Sequence, residues 1–328
     1  MYLFIVLHFL AAISLLETVH ASSWSFLKEG DEIEIIAPSS QCTLEVLNKA
    51  KTQIAQLGFK PKVPDDIFSS PPHPLGYSNT EEYRLSHFLS AFNDPSSKAV
   101  WALRGGFGAS ALLPKLEACP KPAIAKPLIG FSDITALHCL VNQKWQMPSI
   151  HGAMLAFNKE VNPAVNKQES LSTLAAILKG EVQEMRYEFE PLNQAARSQE
   201  ILEGSIIGGN LALVQDSIGT STQIMGKNNF IFLEDTHEMP ARLERVLNHL
   251  LRANIFKGAR GVLLGNLSTI KEENYKLVMK RFAEEVQLPV LFSHEFGHGD
   301  YNRPLPLGTP ATLQLGKEPL LTVKTNIS

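Results

Sequence analysis

Residues 127–134 read Pro-Leu-Ile-Gly-Phe-Ser-Asp-Ile, a short apolar run that ends in Gly-Phe-Ser-Asp and passes directly into the helix-like stretch Ile134–Gln143. That layout puts Ser132 at a strand-to-helix turn. A serine there projects its Oγ above the sheet edge, and the N–H groups of the new helix point to where an oxyanion would form. The chemistry suggested is acyl transfer through a serine nucleophile. Ile134 stands where a Gly-x-Ser-x-Gly elbow has its second glycine, so the lipase-type turn is not the one present. Taken alone, Ser-Asp before an apolar run is also an ordinary helix N-cap.

A nucleophile of this kind needs oxyanion donors, an acid and a base. Arg104-Gly105-Gly106-Phe107-Gly108 follows an apolar strand and lacks the spacing and the Lys-Ser/Thr of a phosphate loop. Its adjacent glycines allow close backbone approach, which suits an oxyanion donor from Gly106, although a tight strand-to-helix turn would use the same residues. Arg104 is placed either to hold a substrate carboxylate bidentately or to pair within the fold. Glu234-Asp235 follows Ile231-Phe232-Leu233 at another strand's carboxyl end. Glu234, still on the strand, suits orienting an imidazole, whereas Asp235 or Thr236 reads as a cap for a helix starting near Pro240.

His294-Glu295-Phe296-Gly297-His298 matches the zincin pattern His-Glu-x-x-His. That motif works because residues i and i+4 share one helical face and both imidazoles meet one zinc ion. Here Gly297 and Gly299 bracket His298, and Pro304 and Pro306 follow, so a helix is disfavoured. The zinc reading would need a third ligand such as Glu318. The other reading makes His298 a loop-borne base, in competition with His294, His237, His138 and His151, each of which also reads as a core or surface histidine. Ser132, Glu234 and His298 then run nucleophile, acid, base, converging in an interdomain cleft without metal or cofactor.

The elements that must position these residues alternate along the first half of the chain. Ile33–Ala37, Lys60–Val63, Ala99–Arg104, Leu128–Phe131 and Ser149–His151 are strand-like, and Leu44–Leu57, Glu81–Phe92, Ala109–Leu116 and Ile134–Val141 are helix-like. Such alternation predicts right-handed crossovers and a mostly parallel sheet, with the site at the strands' carboxyl ends. Residues 28–155 form this nucleophile domain. Residues 156–200 lose the rhythm and read as a polar connection carrying a helix at Leu171–Leu178. Residues 201–328 read as a smaller α/β domain with a β-rich end at Leu305–Val323, carrying acid and base.

The 328 residues balance 30 basic against 33 acidic side chains, and nothing in that balance asks for nucleic acid or an anionic membrane. Met1–Leu16 is nearly all apolar, with Val19 and Ala21 at the small positions of a cleavage site, so residues 1–21 read as an export signal; an N-terminal anchor helix is the alternative. After cleavage no stable membrane insertion is expected, and the compartment would be the periplasm. Cys42, Cys119 and Cys139 form neither a disulfide framework nor a metal cage.

Six segments occur in an order that resembles the LD-carboxypeptidase family. They are residues 31–40 (Asp-Glu-Ile-Glu-Ile-Ile-Ala-Pro-Ser-Ser), Arg104–Gly108, Gly130–Asp133, Gly208-Gly209-Asn210-Leu211, Phe232–Asp235, and Gly297-His298 with Leu305-Pro306-Leu307-Gly308. The family is the muramoyltetrapeptide carboxypeptidase group and includes microcin C self-immunity peptidases. The resemblance implies a flavodoxin-like N-terminal domain, a swivelling C-terminal domain, a homodimer and a Ser-Glu-His triad of Ser132, Glu234 and His298, with Gly106 and Asp133 N–H groups as oxyanion donors. It implies release of terminal D-alanine from murein tetrapeptides, in peptidoglycan turnover or recycling. A zinc metallopeptidase, a microcin C-type peptide-nucleotide hydrolase and a non-catalytic periplasmic binding protein are the alternatives. The chain departs from the family in its export signal and in Phe107 and Phe131, where tyrosine is common.

Overall fold

The computed structural model describes residues 23–155, 167–267, 273–299 and 301–327. The expected export signal and part of the connection lie outside the described residues. Five strands build the first sheet: β1 (Glu32–Ile36), β2 (Lys60–Lys62), β3 (Ser97–Ala102), β4 (Leu128–Gly130) and β5 (Ser149–His151). All pair in parallel, in the order β5-β4-β3-β1-β2. The reason is visible in β1, where Ile33, Ile35 and Ile36 are all buried. A strand covered on both faces is a near-continuous apolar run, and parallel crossovers supply the covering helices.

A second sheet takes β6 (Glu184–Glu188), β7 (Glu190–Pro191), β8 (Ile201–Asn210), β9 (Asn229–Glu234), β10 (Gly261–Leu264) and β11 (Val290–Phe292). The chain then returns to the first sheet with β12 (Leu305–Leu307), antiparallel to β5, before β13 (Pro310–Gln314) and β14 (Leu320–Lys324) complete the second. The second sheet runs β6-β14-β13-β8-β9-β10-β11-β7, eight strands, with β8 to β11 parallel. The helix Pro240–Arg252 buries Leu243, Val246, Leu247 and Leu250 against it, a single apolar stripe.

Two placements differ from the sequence reading. The segment read as a polar connection supplies β6 and β7, and in β6 buried Met185 and Tyr187 alternate with exposed Arg186 and Glu188. Charged outward residues masked that period of two. The segment Leu305–Leu307, read with the second domain, is an edge strand of the first sheet, where Pro306 is tolerated because an edge strand need not use every donor. One buried cluster accordingly joins both sheets, containing Trp101 and Ile150 as well as Phe232, Phe296 and Leu305. No helix of the described residues is long and apolar enough to cross a membrane.

Candidate active site

β4 is wholly buried and delivers Phe131 in extended conformation, with φ −153°. Ser132 then turns into the left-handed region at φ 61°, and the helical turns 132–134 and Thr135–Cys139 follow. A non-glycine residue held there costs energy and persists only where its surroundings fix it. Neither turn has a side-chain cap, so Ser132 is not spent as an N-cap. Capping, the competing explanation of Gly-Phe-Ser-Asp, does not describe this serine.

The Gly-rich loop after β3 lies directly against it. A Cβ on Gly105 would sit 3.0 Å from Ser132 Cβ and 3.3 Å from both Ser132 Oγ and Asp133 N, so any side chain there would press on the Ser132 turn. Phe107 N–H donates to Ser40 Oγ and Ala109 N–H to Asp133 Oδ2, whereas Gly106 N–H has no hydrogen-bond partner among the described residues. Two side chains brace the loop. Asp133, buried, accepts from Ser39 Oγ at 2.6 Å as well as from Ala109 N–H at 2.9 Å. Arg84, also buried, donates through Nη1 to the carbonyls of Pro38 at 2.5 Å and Gly108 at 2.8 Å while its guanidinium lies over the Tyr77 ring. Arg104 donates to the carbonyls of Gly105 and Gln41, a largely structural use of its fork.

Glu234 ends β9 fully buried, and its Oε2 accepts from His298 Nδ1 at 2.7 Å. The His298 ring packs on Phe131, centroids 4.9 Å apart, which brings it beside the residue preceding Ser132. Its side chain keeps 14% exposure. Burial alone would push the His298 imidazole down, but the Glu234 charge and hydrogen bond outweigh it and hold its pKa above the ordinary value. Burial likewise opposes ionisation of Glu234, and the His298 charge and hydrogen bond prevail, holding it below the usual carboxylate value. The pair is an imidazole with a fixed tautomer, Nδ1 protonated and Nε2 directed away.

The other candidates lie elsewhere in role or place. Residues 294–299 form turns, so His294 and His298 share no helical face; His294 is exposed, packed edge-on against Phe292. Among the described residues no three His, Cys, Asp or Glu side chains converge as a metal site requires. His237 is exposed and bonded to Thr236, and His138 contacts the Gly130 carbonyl. Asp235 does not cap the helix at Pro240. It accepts from Asn210 Nδ2 and from Ala212 N–H, at the start of the helix Leu211–Asp216, because the β8 end lies closer to it than its own downstream helix. Arg84 and the loop-bracing carboxylate of Asp133 carried no signal beyond their places in an amphipathic helix and a Ser-Asp pair. The Pro38-Ser39-Ser40 run gave the one available hint.

The family model for the LD-carboxypeptidase N-terminal domain matches residues 33–152, and that for the C-terminal domain matches 203–313. A putative carboxypeptidase of Rickettsia conorii is 33% identical over 87% of this chain and 89% of its own length. The murein tetrapeptide carboxypeptidase of Pseudomonas aeruginosa is 30% identical over 86% of this chain and 92% of its own. Among solved structures, a muramoyltetrapeptide carboxypeptidase from Oxalobacter formigenes superposes with a TM-score of 0.73 at 21% identity, covering 89% of this chain and 98% of that one. An MccF-like protein from Bacillus anthracis gives 0.76 at 20% identity, covering 92% and 98%. With both domain models matched in order and relatives of this identity along most of its length, the chain belongs to the LD-carboxypeptidase family.

Proposed function

We propose that this hydrolase is a serine-type LD-carboxypeptidase that releases terminal D-alanine from murein tetrapeptides. The observation that carries the reading is Ser132, held at φ 61° with its hydroxyl uncommitted to capping, beside a loop with an unspent Gly106 N–H. His298 Nε2 takes the Ser132 proton as Oγ attacks the carbonyl joining the diamino acid's L-centre to D-alanine. Glu234 stabilises the imidazolium, and the Gly106 and Asp133 N–H groups receive the oxyanion. D-alanine leaves with the proton from His298, and water then hydrolyses the acyl-enzyme by the same route. Arg104 leaves Nη2 for the substrate carboxylate, its other contacts being with backbone carbonyls. Export to the periplasm and assembly as a homodimer belong to the same proposal.

Mass spectrometry of muropeptides incubated with the protein tests it. Loss of one alanine mass from tetrapeptide, abolished in Ser132→Ala and insensitive to chelator, is the expected result. Release that survives Ser132→Ala, or that a chelator stops, would overturn the serine mechanism. Hydrolysis of a peptide-nucleotide but not of tetrapeptide would overturn the substrate.

A further inference from the structure

His151 ends β5 with no exposed surface, and neither ring nitrogen has a hydrogen-bond partner among the described residues. Buried polar groups are nearly always paired, so an imidazole orphaned on both sides calls for an explanation. Its ring is fixed between Phe131, centroids 5.5 Å apart, and Phe232, edge-on at 5.0 Å. These are the residues flanking the site, one preceding Ser132 and the other two before Glu234. Burial, with the nearby His298 adding to it, pushes the His151 pKa down to about 4 against the pull of Glu234. It is therefore neutral at pH 7 and has one nitrogen able to accept.

A second orphan lies beside it. Asn302 Nδ2 is buried and has no partner among the described residues, while Asn302 Oδ1 accepts from Gly297 N–H at 3.1 Å, one residue before His298. The Asn302 segment is held against β5 because Leu305 of β12 pairs with His151, and Pro304 Cα lies 3.3 Å from where a Gly152 Cβ would be. An unpaired donor and an unpaired acceptor, both buried, thus lie at the seam between the sheet that carries Ser132 and the loop that carries His298, and the Asn302 side chain is near enough to the His151 imidazole to pull its pKa upward.

We infer that His151 is a positioning residue: as a neutral acceptor for the Asn302 amide, it sets the Gly297–His298 turn and thereby aims His298. The chain of contacts runs from His151 through Asn302 to Gly297 N–H and so to the imidazole facing Glu234. It explains why a histidine occupies a pocket of aromatic rings that a phenylalanine would fill. It also couples the two sheets, since Ser132 and His298 depend on the same seam. The inference rests on the reading of His298 as the base for Ser132.

The test compares His151→Phe, His151→Gln and Asn302→Ala by steady-state kinetics and by the downfield proton resonance of His298 Nδ1–H. Misplacing a catalytic group by about 1 Å costs on the order of 100-fold. His151→Phe and Asn302→Ala should lose kcat on that order with KM unchanged and should shift or broaden the resonance. His151→Gln, which keeps an acceptor, should restore most of kcat. The double variant should be no worse than the poorer single one, because both break one chain of contacts. A folded His151→Phe with wild-type kcat and an unmoved resonance overturns the inference; if His151→Phe does not fold, the same result in Asn302→Ala does so. Should Ser132→Ala retain activity, the serine reading falls, and the resonance still decides whether His151 orients His298.

Discussion

His298 donates through Nδ1 to Glu234 Oε2 across 2.7 Å, linking a turn of the chain's last third to the buried end of β9. The two residues are 64 positions apart, and the contact fixes which imidazole nitrogen faces away from the carboxylate. Burial disfavours the charge on each group, yet each stabilises the charged form of the other, leaving His298 above and Glu234 below its ordinary pKa.

The first prediction is a pH profile. Under the proposed mechanism His298 must be neutral to act, so kcat/KM should rise with pH through its raised pKa and the acid limb should lie above the ordinary imidazole value. Glu234→Gln removes the carboxylate charge, so the limb should move to lower pH. The plateau should fall on the order of 10,000-fold, since an amide N–H facing Nδ1 favours the wrong tautomer. An acid limb that stays in place in Glu234→Gln would contradict the coupling. Linkage gives the stability counterpart. The His298 contribution is full below the unfolded histidine pKa and is lost as pH rises through its folded value. The Glu234 contribution is present above the unfolded glutamate pKa and is lost as pH falls through its folded value.

The second prediction separates function from stability at Ser132. Its φ of 61° is unfavourable for any residue with a Cβ and is relieved only by glycine. Ser132→Ala and Ser132→Gly should therefore be equally inactive, yet the glycine variant should be more stable by about 1 kcal/mol, net of the entropy glycine adds to the unfolded chain. Denaturant melts of the two variants read this directly. Equal midpoints, or a less stable glycine variant, would mean that the turn stores no strain.

What the sequence could reveal follows from how local each signal is. The strands around Ser132 and Glu234 were legible because both-face burial leaves unbroken apolar runs such as Leu128-Ile129 and Phe230–Leu233. Gly297 and Gly299 correctly argued against a zincin helix, because glycines resist helix formation locally. The return of Leu305–Leu307 to the first sheet was not legible, since edge pairing depends on a partner more than 150 positions away. Arg84 was hidden for a related reason. Its task, holding the Pro38 and Gly108 carbonyls, is set by two distant loops that its own helix periodicity does not record.

The third prediction concerns Asp133, whose side chain braces the loop and whose N–H is a proposed oxyanion donor. Burial pushes its pKa up, against the hydrogen bonds from Ser39 and Ala109 that favour the ionised form. Asp133→Ala leaves the Ser39 hydroxyl and the Ala109 N–H without an acceptor and should cost about 2–3 kcal/mol. It should also lower kcat/KM, because the loop presenting Gly106 loses its anchor, whereas Asp133→Asn, keeping one acceptor oxygen, should lose less of both. Equilibrium unfolding and steady-state rates on the two variants decide it. Full activity in a destabilised Asp133→Ala would separate the loop anchor from catalysis.

The fourth prediction uses the close approach of Gly297 to Glu234, next to His298. Gly297 has φ 92°, and a Cβ there would stand 2.6 Å from Glu234 Oε2 and 2.9 Å from its Cβ. Because Glu234 is fully buried at the end of β9, it has no room to retreat, so in Gly297→Ala the turn must give way and carry His298 with it. A displacement of about 1 Å in the proposed base predicts a loss of kcat on the order of 100-fold, with KM little changed because Arg104, the proposed holder of the substrate carboxylate, and the Gly-rich loop are untouched. The downfield Nδ1–H resonance of His298 should weaken with it, tying the kinetic loss to the Glu234 contact. Gly297→Ala with normal kcat and an unchanged resonance would show that the turn does not fix the imidazole, leaving the Glu234 hydrogen bond alone to hold it.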